Sequence, residues 1–326
     1  MFLEGQSILV TGGTGSFGRA FVRTLLERYE PRRVIVYSRD ELKQYEMAEQ
    51  LKDRRLRFFL GDVRDLSRLQ RACMDVQVIV HAAALKQVPA AEYNPFECIK
   101  TNVLGAQNVI EAALNGSVER VLALSTDKAA NPINLYGATK LCADKLFVAA
   151  NAYAAGRGPM MSVVRYGNVV GSRGSVVPFF LNARRNGVLP ITDPRMTRFW
   201  ITLEQGVDFV LECLRKMHGG ELFVPKIPST DIMTLVQALA PGCRTEVVGI
   251  RPGEKLHELM IGEDDARRTR DMGNYFVLQP QQPWWDEGLL DAGDSVPEGF
   301  SYRSDTNPLR LGVTEVRDLL GSLGLA

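Results

Sequence analysis

Tyr136 and Lys140 are four residues apart in a segment with helical spacing, which places both side chains on one face. A lysine one turn away lowers the pKa of a phenol, so a tyrosinate can take the proton of a hydroxyl while hydride leaves for a nicotinamide. The preceding strand ends in residues 125–128 (STDK), and ligands of open α/β sheets bind at such carboxyl ends. A Tyr-x-x-x-Lys pair is common by chance, but its position just after a polar strand end makes it a specific indication of a catalytic site.

A glycine-rich turn near the N-terminus predicts where the nicotinamide dinucleotide binds. The apolar strand 7–11 (SILVT) leads into TGGTGSFG, with Gly12, Gly15 and Gly18 at three-residue spacing. Gly12 allows a tight turn, Gly15 lets the backbone approach a pyrophosphate, and Gly18 lets the helix pack closely on the strand. Because the motif joins a strand to a helix, a dinucleotide site is favoured over an ordinary glycine turn. The neighbours assigned to the same site are Thr14, Ser16 and Phe17.

The end of the second strand decides between NAD and NADP. An acidic residue there bonds a ribose 2′-hydroxyl, whereas arginine accommodates a 2′-phosphate. Ser38, Arg39 and Lys43 suit a phosphate, while Asp40 and Glu41 fit the first turn of the next helix. The sequence therefore favours NADP, with a solvated charge as the alternative for Arg39. The other residues assigned to the cofactor are Asp40, Asp62, Val63, Ala82, Lys86, Tyr136, Lys140 and Val169.

Strands that alternate with helices position these residues. Apolar strands are predicted at 7–11, 33–37, 56–60, 76–81, 120–125 and 161–166, and helices at 17–28, 40–51, 67–72, 102–114 and 136–153. This order predicts a Rossmann-type α/β fold with a doubly wound parallel sheet. Residues 1–166 are assigned to an NADP-binding domain, to which 203–225 return. Residues 167–326 are assigned mainly to a smaller, partly interleaved substrate-binding domain.

The composition excludes several classes of function. The chain has 326 residues, 45% of them hydrophobic, which is enough for a large core. Its net charge of +1 gives no field for nucleic acid. The N-terminus does not read as a signal peptide and no apolar run reaches membrane-spanning length, so a cytoplasmic enzyme without a membrane partner is expected. Five cysteines without a C-x-x-C pair indicate reduced packing residues, and three scattered histidines predict no metal site.

The motifs together resemble the extended short-chain dehydrogenase/reductase superfamily: TGGTGSFG, the HAAA turn at 81–84, Asn102 in TNVLGAQNV, Thr126, and the pair Tyr136 and Lys140. The resemblance covers essentially the whole chain and implies action on a nucleotide sugar. The stretches SRDELKQYEMA, STDKAANPINLYGATKLCADKLF and RYGNVVGSRGSVVPFF closely resemble inverting UDP-N-acetylglucosamine 4,6-dehydratases, which open pseudaminic acid synthesis. Retaining relatives are far longer, membrane-anchored, and tend to carry Met where this chain has Tyr136.

The resemblance implies a mechanism. Tyr136 takes the C4 hydroxyl proton as C4 hydride passes to NADP, and Lys140 and Thr126 hold and polarise that hydroxyl. A neutral Lys128 removes the C5 proton that the new ketone acidifies, and protonated Asp127 gives a proton to the departing C6 hydroxyl. Hydride return to C6 and reprotonation of C5 from the opposite face complete the product, UDP-2-acetamido-2,6-dideoxy-β-L-arabino-hex-4-ulose.

The protonation of Lys128 decides whether this mechanism is feasible. Burial beside Lys140 is expected to lower the pKa of Lys128, which a base requires. The alternative is that Lys128 and Asp127 form a surface salt bridge with no chemical role.

The second half of the chain is expected to bind the UDP-sugar. Arginine suits a diphosphate, glutamate suits the ribose hydroxyls of uridine, and Asn168 suits a phosphate or the acetamido group. Each such charge taken alone is more often a solvated surface group. Lys86 can face the cofactor, the substrate or solvent. The residues assigned to the substrate are Lys86, Asn168, Arg173, Thr192, Arg198, Arg251 and Glu254.

Two other functions remain open from the sequence. A nucleotide-sugar 4-epimerase or reductase shares the Tyr-x-x-x-Lys pair and the dinucleotide but has no need of Asp127 and Lys128. A non-catalytic dinucleotide-binding scaffold usually lacks the tyrosine or the lysine. The resemblance also implies a homo-oligomer, with a dimer paired through helices 102–114 and 136–153 and a hexamer built from such dimers.

Overall fold

The first 166 residues fold into alternating strands and helices, in the order that their apolar runs predict. The structure is a computed structural model that describes residues 2–154, 158–171, 175–280 and 293–325. The elements of this half are β1 (Ser7–Thr11), α1 (Ser16–Arg28), β2 (Arg33–Ser38), α2 (Glu41–Leu51), β3 (Leu56–Leu60), α3 (Leu66–Ala72), β4 (Val78–His81), α4 (Val88–Tyr93), α5 (Pro95–Ile99), α6 (Gly105–Leu114), β5 (Arg120–Thr126), α7 (Leu135–Tyr153) and β6 (Met160–Tyr166).

The chain after residue 166 is built mostly from shorter elements, because Gly and Pro interrupt its apolar runs. They are β7 (Asn168–Val169), α8 (Val176–Ala183), β8 (Val188–Ile191), β9 (Thr197–Ile201), α9 (Leu203–Lys216), β10 (Leu222–Pro225), β11 (Ser229–Asp231), α10 (Ile232–Leu239), β12 (Arg244–Val247), β13 (Leu259–Ile261), β14 (Thr269–Asp271), β15 (Tyr275–Leu278), β16 (Asp294–Ser295), β17 (Tyr302–Arg303) and α11 (Val313–Ser322). None of the described helices has the length together with the apolar composition that a bilayer crossing requires.

A ten-stranded sheet organises the described part of the chain, in the order β16-β14-β15-β10-β6-β5-β4-β1-β2-β3. Strands β1 to β6 pair in parallel, which confirms the predicted doubly wound Rossmann-type sheet. β10 continues the sheet in parallel beside β6, and β15, β14 and β16 follow in antiparallel pairs. The second half therefore returns to the sheet within 203–225, and again at 269–278 and 294–295.

Buried apolar side chains form two main clusters. The larger cluster surrounds the sheet and includes Phe21, Phe147 and Phe223. A separate cluster packs side chains of α8, β9, α10 and α11, among them Phe180 and Trp200. Because burial of apolar surface is the main favourable term in folding, the second cluster gives the chain beyond the sheet a core of its own.

The predicted helix 102–114 is one part of a longer helical segment. Proline at the first position of α5 starts a new helix, and a π-helical turn at Lys100–Leu104 then leads into α6. In this turn the Asn102 amide bonds both backbone groups of Leu85, at 2.8 and 2.9 Å, and donates to Thr139 Oγ1 at 3.0 Å. The widened turn thus fixes the loop after β4 against α7, a tertiary role that helical periodicity does not reveal.

Acid destabilisation below pH 6.5 is expected from His81, the last residue of β4. Its Nδ1 bonds Thr11 Oγ1 at 2.8 Å, and burial, together with the charge of Lys140, lowers the pKa of His81 from 6.5 to about 3. The folded state therefore keeps the imidazole neutral, so stability is fully present above pH 6.5 and is lost as the pH falls towards 3. When the pH is lowered from 7.5 to 5, the unfolding free energy of the wild type, measured by urea titration, should fall by about 2 kcal/mol more than that of His81→Gln. Equal losses in the two proteins would contradict this assignment.

Candidate active site

A cleft of about 830 Å³ lies between the carboxyl ends of the parallel strands and the second half of the chain. Ligands bind at this edge in doubly wound sheets. Every predicted catalytic residue lines the cleft, and so does every residue assigned to the cofactor. The structure thus brings together Thr126, Asp127, Lys128, Tyr136 and Lys140 with the glycine turn that follows β1.

The glycine turn has the shape that a pyrophosphate needs. Gly12 has φ +66°, and a Cβ there would lie 2.8 Å from the backbone nitrogen of Ala83. A Cβ at Gly18 would lie 2.5 Å from Gly13 Cα, so only glycine permits this approach of α1 to the turn. Gly15 precedes α1, whose first turn has neither a side-chain cap nor an acidic residue. Its free N–H groups suit the phosphates of a dinucleotide.

At the rim of the cleft after β2, the guanidinium of Arg39 precedes Asp40, whose carboxylate is paired with Lys43. The Asp40 carboxylate caps α2 by accepting from the Lys43 backbone nitrogen at 3.0 Å, and it also pairs with the Lys43 ammonium. The Arg39 guanidinium is half-exposed and lies 3.4 Å from Asp62 Oδ2. Asp40 is thus occupied as a helix cap, as the sequence suggested, although it lines the cleft together with Ser38 and Arg39.

A short 3-10 turn at Asp127–Ala129 presents the acid and the amine to the cleft. Thr126 Oγ1 donates to Asp127 Oδ1 at 2.9 Å, and the ammonium of Lys128 lies 3.0 Å from the same oxygen. Asp127 is almost fully buried, and its Oδ2 has no hydrogen-bond partner among the described residues. The pair is therefore an ion pair inside the cleft rather than at the surface, and one carboxylate oxygen is left free.

The expected neutral Lys128 is contradicted by its surroundings. Burial by itself disfavours the ammonium, but the carboxylates of Asp127 and Glu258 outweigh burial and hold the pKa of Lys128 above its ordinary value. Glu258 Oε1 lies 3.1 Å from the Lys128 ammonium. In the structure as it stands, Lys128 is charged because it has two anionic neighbours.

The protonation of Tyr136 also differs from the expectation. Burial raises the pKa of Tyr136 to about 12, although the positive charge of Lys128 and a side-chain hydrogen bond with Thr126 act in the opposite direction. Burial lowers the pKa of Lys140, opposed by the carboxylate of Asp144. The cation that acts most on the phenol is therefore Lys128, not the lysine one helical turn away.

Two charged residues of the site were missed from the sequence. Glu258 is buried beside Lys128, and Lys255 Nζ donates to the carbonyl of Ala130 at 2.6 Å. Burial lowers the pKa of Lys255, with Glu258 and Asp127 acting against this shift. Both residues stand in the same RPGEKLHE stretch as Arg251 and Glu254. The signal that was available is Glu258 immediately before a short apolar strand, β13.

The predicted substrate residues are only partly assembled. Arg251, Glu254, Arg198, Asn168 and Lys86 line the cleft, and the Arg198 guanidinium lies 3.4 Å from Glu254 Oε1. Thr192 is not among the described residues that line it, and its hydroxyl donates to Met196 Sδ at 3.0 Å. Arg173 lies outside the described residues. The structure therefore supplies arginines and a glutamate opposite the 3-10 turn Asp127–Ala129, which is called the catalytic turn below.

Comparison with known proteins agrees with this geometry. Residues 8–280 match the family described as polysaccharide biosynthesis protein. The chain belongs to this family. One relative of the chain is the inverting UDP-N-acetylglucosamine 4,6-dehydratase of Campylobacter jejuni subsp. jejuni serotype O:23/36 (strain 81-176), with 55% identity over 97% of this chain and 98% of the relative. This confirms the resemblance stated from the sequence motifs.

Solved structures extend this likeness to the fold. Pen from Bacillus thuringiensis has a TM-score of 0.91 at 33% identity, and each chain is covered completely. DesIV, a dTDP-glucose 4,6-dehydratase from Streptomyces venezuelae crystallised with NAD and TYD, has a TM-score of 0.70 at 27% identity over 77% of this chain and 86% of DesIV. The Rossmann-type fold is thus shared with a dehydratase that was crystallised with a nicotinamide dinucleotide.

Proposed function

We propose that the protein is a UDP-N-acetylglucosamine 4,6-dehydratase that inverts C5 and uses NADP. The observation that carries this proposal is the buried pair of Asp127 and Lys128 beside Tyr136, at the carboxyl end of β5. A 4-epimerase needs only the tyrosine and lysine, whereas elimination of water needs an additional acid and base. The 55% identity to an inverting dehydratase supports the same substrate and outcome.

Bound NADP would supply a reversible hydride acceptor for this reaction. Gly12, Gly15 and the N-terminus of α1 would hold the pyrophosphate, and Ser38, Arg39 and Lys43 the 2′-phosphate. Tyr136 takes the proton of the C4 hydroxyl, while Thr126 and Lys140 orient that oxygen. Because burial favours the protonated phenol, the phenolic proton first passes to water in the cleft, and the tyrosinate then accepts the proton of the C4 hydroxyl.

The acid–base pair carries the elimination. Transfer of one proton from Lys128 Nζ to Asp127 Oδ1, 3.0 Å away, converts the observed ion pair into a neutral amine and a carboxylic acid. The amine then takes the C5 proton, the C5–C6 double bond forms, and the C6–O bond breaks. Asp127 protonates the leaving hydroxyl, so that water departs and the pair is again charged. Water then protonates C5 from the opposite face, and hydride at C6 completes the inverted 4-keto sugar. Tyr136 returns to solvent the proton that it took from the C4 hydroxyl, so the protons balance.

Arg39→Ala is expected to weaken NADP binding about 10- to 100-fold, because a charged hydrogen bond contributes about 1.5–3 kcal/mol. Binding of NAD should change less than about threefold, since NAD has no 2′-phosphate. Isothermal titration of both dinucleotides measures the two effects in one protein. The exposed Arg23→Ala serves as a matched control that alters neither. Equal weakening of NADP and NAD would remove Arg39 from the 2′-phosphate site.

Incubation with UDP-N-acetylglucosamine tests the proposed reaction directly. The product should lose the mass of one water, and its NMR couplings should show the inverted C5 centre. A product of unchanged mass would favour the 4-epimerase. Absence of any transient reduction of NADP on nucleotide sugars would instead favour a non-catalytic dinucleotide-binding scaffold.

The same proposal assigns cofactor binding and substrate binding to different parts of the chain. Residues 1–166, with 203–225, form the cofactor domain, and the rest of the chain mainly binds the UDP-sugar, supported by its separate apolar cluster. A homo-oligomer paired near α6 and α7 is supported by large exposed apolar side chains of that region, Tyr93, Phe96 and Leu104. We propose that the product enters pseudaminic acid synthesis at its opening step, which the resemblance supports.

A further inference from the structure

A second buried carboxylate faces the ammonium of Lys128. Glu258 Oε1 lies 3.1 Å from Lys128 Nζ and 3.7 Å from Arg198 Nε, and only 2% of Glu258 is exposed. Its Oε2 has no hydrogen-bond partner among the described residues, although the side chain lines the cleft. Burying a carboxylate that is only partly hydrogen-bonded lowers the stability of the fold, so its position beside the amine indicates a role in the site.

The backbone of Glu258 is held rigidly. Its N–H donates to Ser304 Oγ at 2.9 Å, and the Ser304 N–H donates to the Glu258 carbonyl at 2.9 Å. Ser304 Oγ in turn bonds Thr197 Oγ1 at 2.7 Å. The backbone that carries this carboxylate, just before β13, is therefore held in a fixed position beside Lys128.

The same stretch of chain braces the catalytic turn at two more points. Lys255 Nζ donates to the Ala130 carbonyl, and Asn134 Nδ2 donates to the Gly253 carbonyl at 2.7 Å. Asn134 also caps α7 by accepting from the Gly137 N–H at 2.7 Å. Residues 253–258 thus contact the turn before α7, the helix cap and the amine of Lys128.

We propose that Glu258 is a positioning residue for the dehydration, which fixes the Lys128 amine over the sugar and keeps a proton on the pair of Lys128 and Asp127 until substrate is bound. The inference rests on the proposed function. The charged and titratable groups that face Lys128 are Asp127, Glu258, Arg198, Lys255 and Tyr136. Glu258 is the one carboxylate of this set contributed by the distant C-terminal half, so it can be changed without altering the strand end that carries the pair.

Glu258→Gln tests this role, since it keeps the shape and removes the charge. Loss of one neighbouring negative charge should let the pair of Lys128 and Asp127 lose its shared proton more readily. The falling limb of kcat against pH, where the pair loses the proton that Asp127 must deliver, should therefore move about one to three pH units lower. The plateau of kcat should fall about tenfold because the amine is less well fixed, while KM for UDP-N-acetylglucosamine should change less than about threefold. Glu258→Asp should restore the position of the limb, and the exposed Glu263→Gln should match wild type.

A second measurement does not depend on turnover. The rate at which acetic anhydride labels Lys128, followed by mass spectrometry across pH, reports the neutral fraction of the amine. It should rise at lower pH in Glu258→Gln than in wild type, in samples that bind NADP normally. An unmoved limb together with an unmoved labelling profile would overturn the inference. The proposed function would be overturned instead if the wild type dehydrates no UDP-N-acetylglucosamine while the labelling profile of Glu258→Gln is still shifted relative to wild type.

Discussion

Lys128→Ala is expected to stop exchange of the C5 hydrogen with deuterated water and to lower dehydration about 10²- to 10⁴-fold, the range for loss of a general base. Binding of NADP should be unchanged, because the glycine turn and the rim after β2 do not contact Lys128. Oxidation at C4 should survive in part, since Tyr136, Thr126 and Lys140 remain. Mass spectrometry of the recovered sugar in deuterated water, together with absorbance of the reduced cofactor, separates the two steps.

The exposed Lys145→Ala, on the same helix as Tyr136, provides the matched control for charge removal and should keep wild-type rates. C5 exchange at the wild-type rate in Lys128→Ala would remove the lysine from the mechanism. Loss of C4 oxidation to the same extent as C5 exchange would indicate instead that Lys128 acts on the phenol of Tyr136, whose ionisation its charge favours.

Gly137→Ala is expected to damage both catalysis and stability, although alanine is the better helix former. A methyl group at Gly137 would overlap the carbonyl oxygen of Lys128 and lie 3.0 Å from its carbonyl carbon and 3.1 Å from Pro132 Cβ. The 3-10 turn would have to move away from α7 and carry the amine with it. Misplacement of about 1 Å can cost about 100-fold in rate, and overpacking costs about 1–3 kcal/mol of unfolding free energy.

Gly321→Ala, in α11, is the matched control for helix propensity. No atom lies within 4 Å of a Cβ built there, so this change should raise stability by up to about 1 kcal/mol and leave kcat unaltered. Urea unfolding and steady-state rates measured on both variants decide the issue. If Gly137→Ala behaves like Gly321→Ala, the close contact between α7 and the catalytic turn does not constrain Lys128.

Local spacing was sufficient to predict most of the sheet and half of the site. Continuous apolar runs such as β1 are buried on both faces, and the three-residue glycine spacing leaves few alternatives to a phosphate turn. Tyr136 and Lys140 share a helix face whatever the rest of the chain does. Interruptions of helices were less predictable. The π-helical turn at Lys100–Leu104, for example, is stabilised by hydrogen bonds between Asn102 and the distant Leu85.

The sequence by itself determined the residue types and the short-range geometry: a dinucleotide turn, a tyrosine and lysine one turn apart, and an acid next to an amine at a strand end. Only the tertiary structure decided the charge of that amine, since Glu258 reaches it from 130 positions along the chain. It likewise decided that Thr192 bonds Met196 and is not among the described residues that line the cleft. The reason is that periodicity encodes contacts within an element, whereas protonation depends on burial and on charges that distant segments bring together.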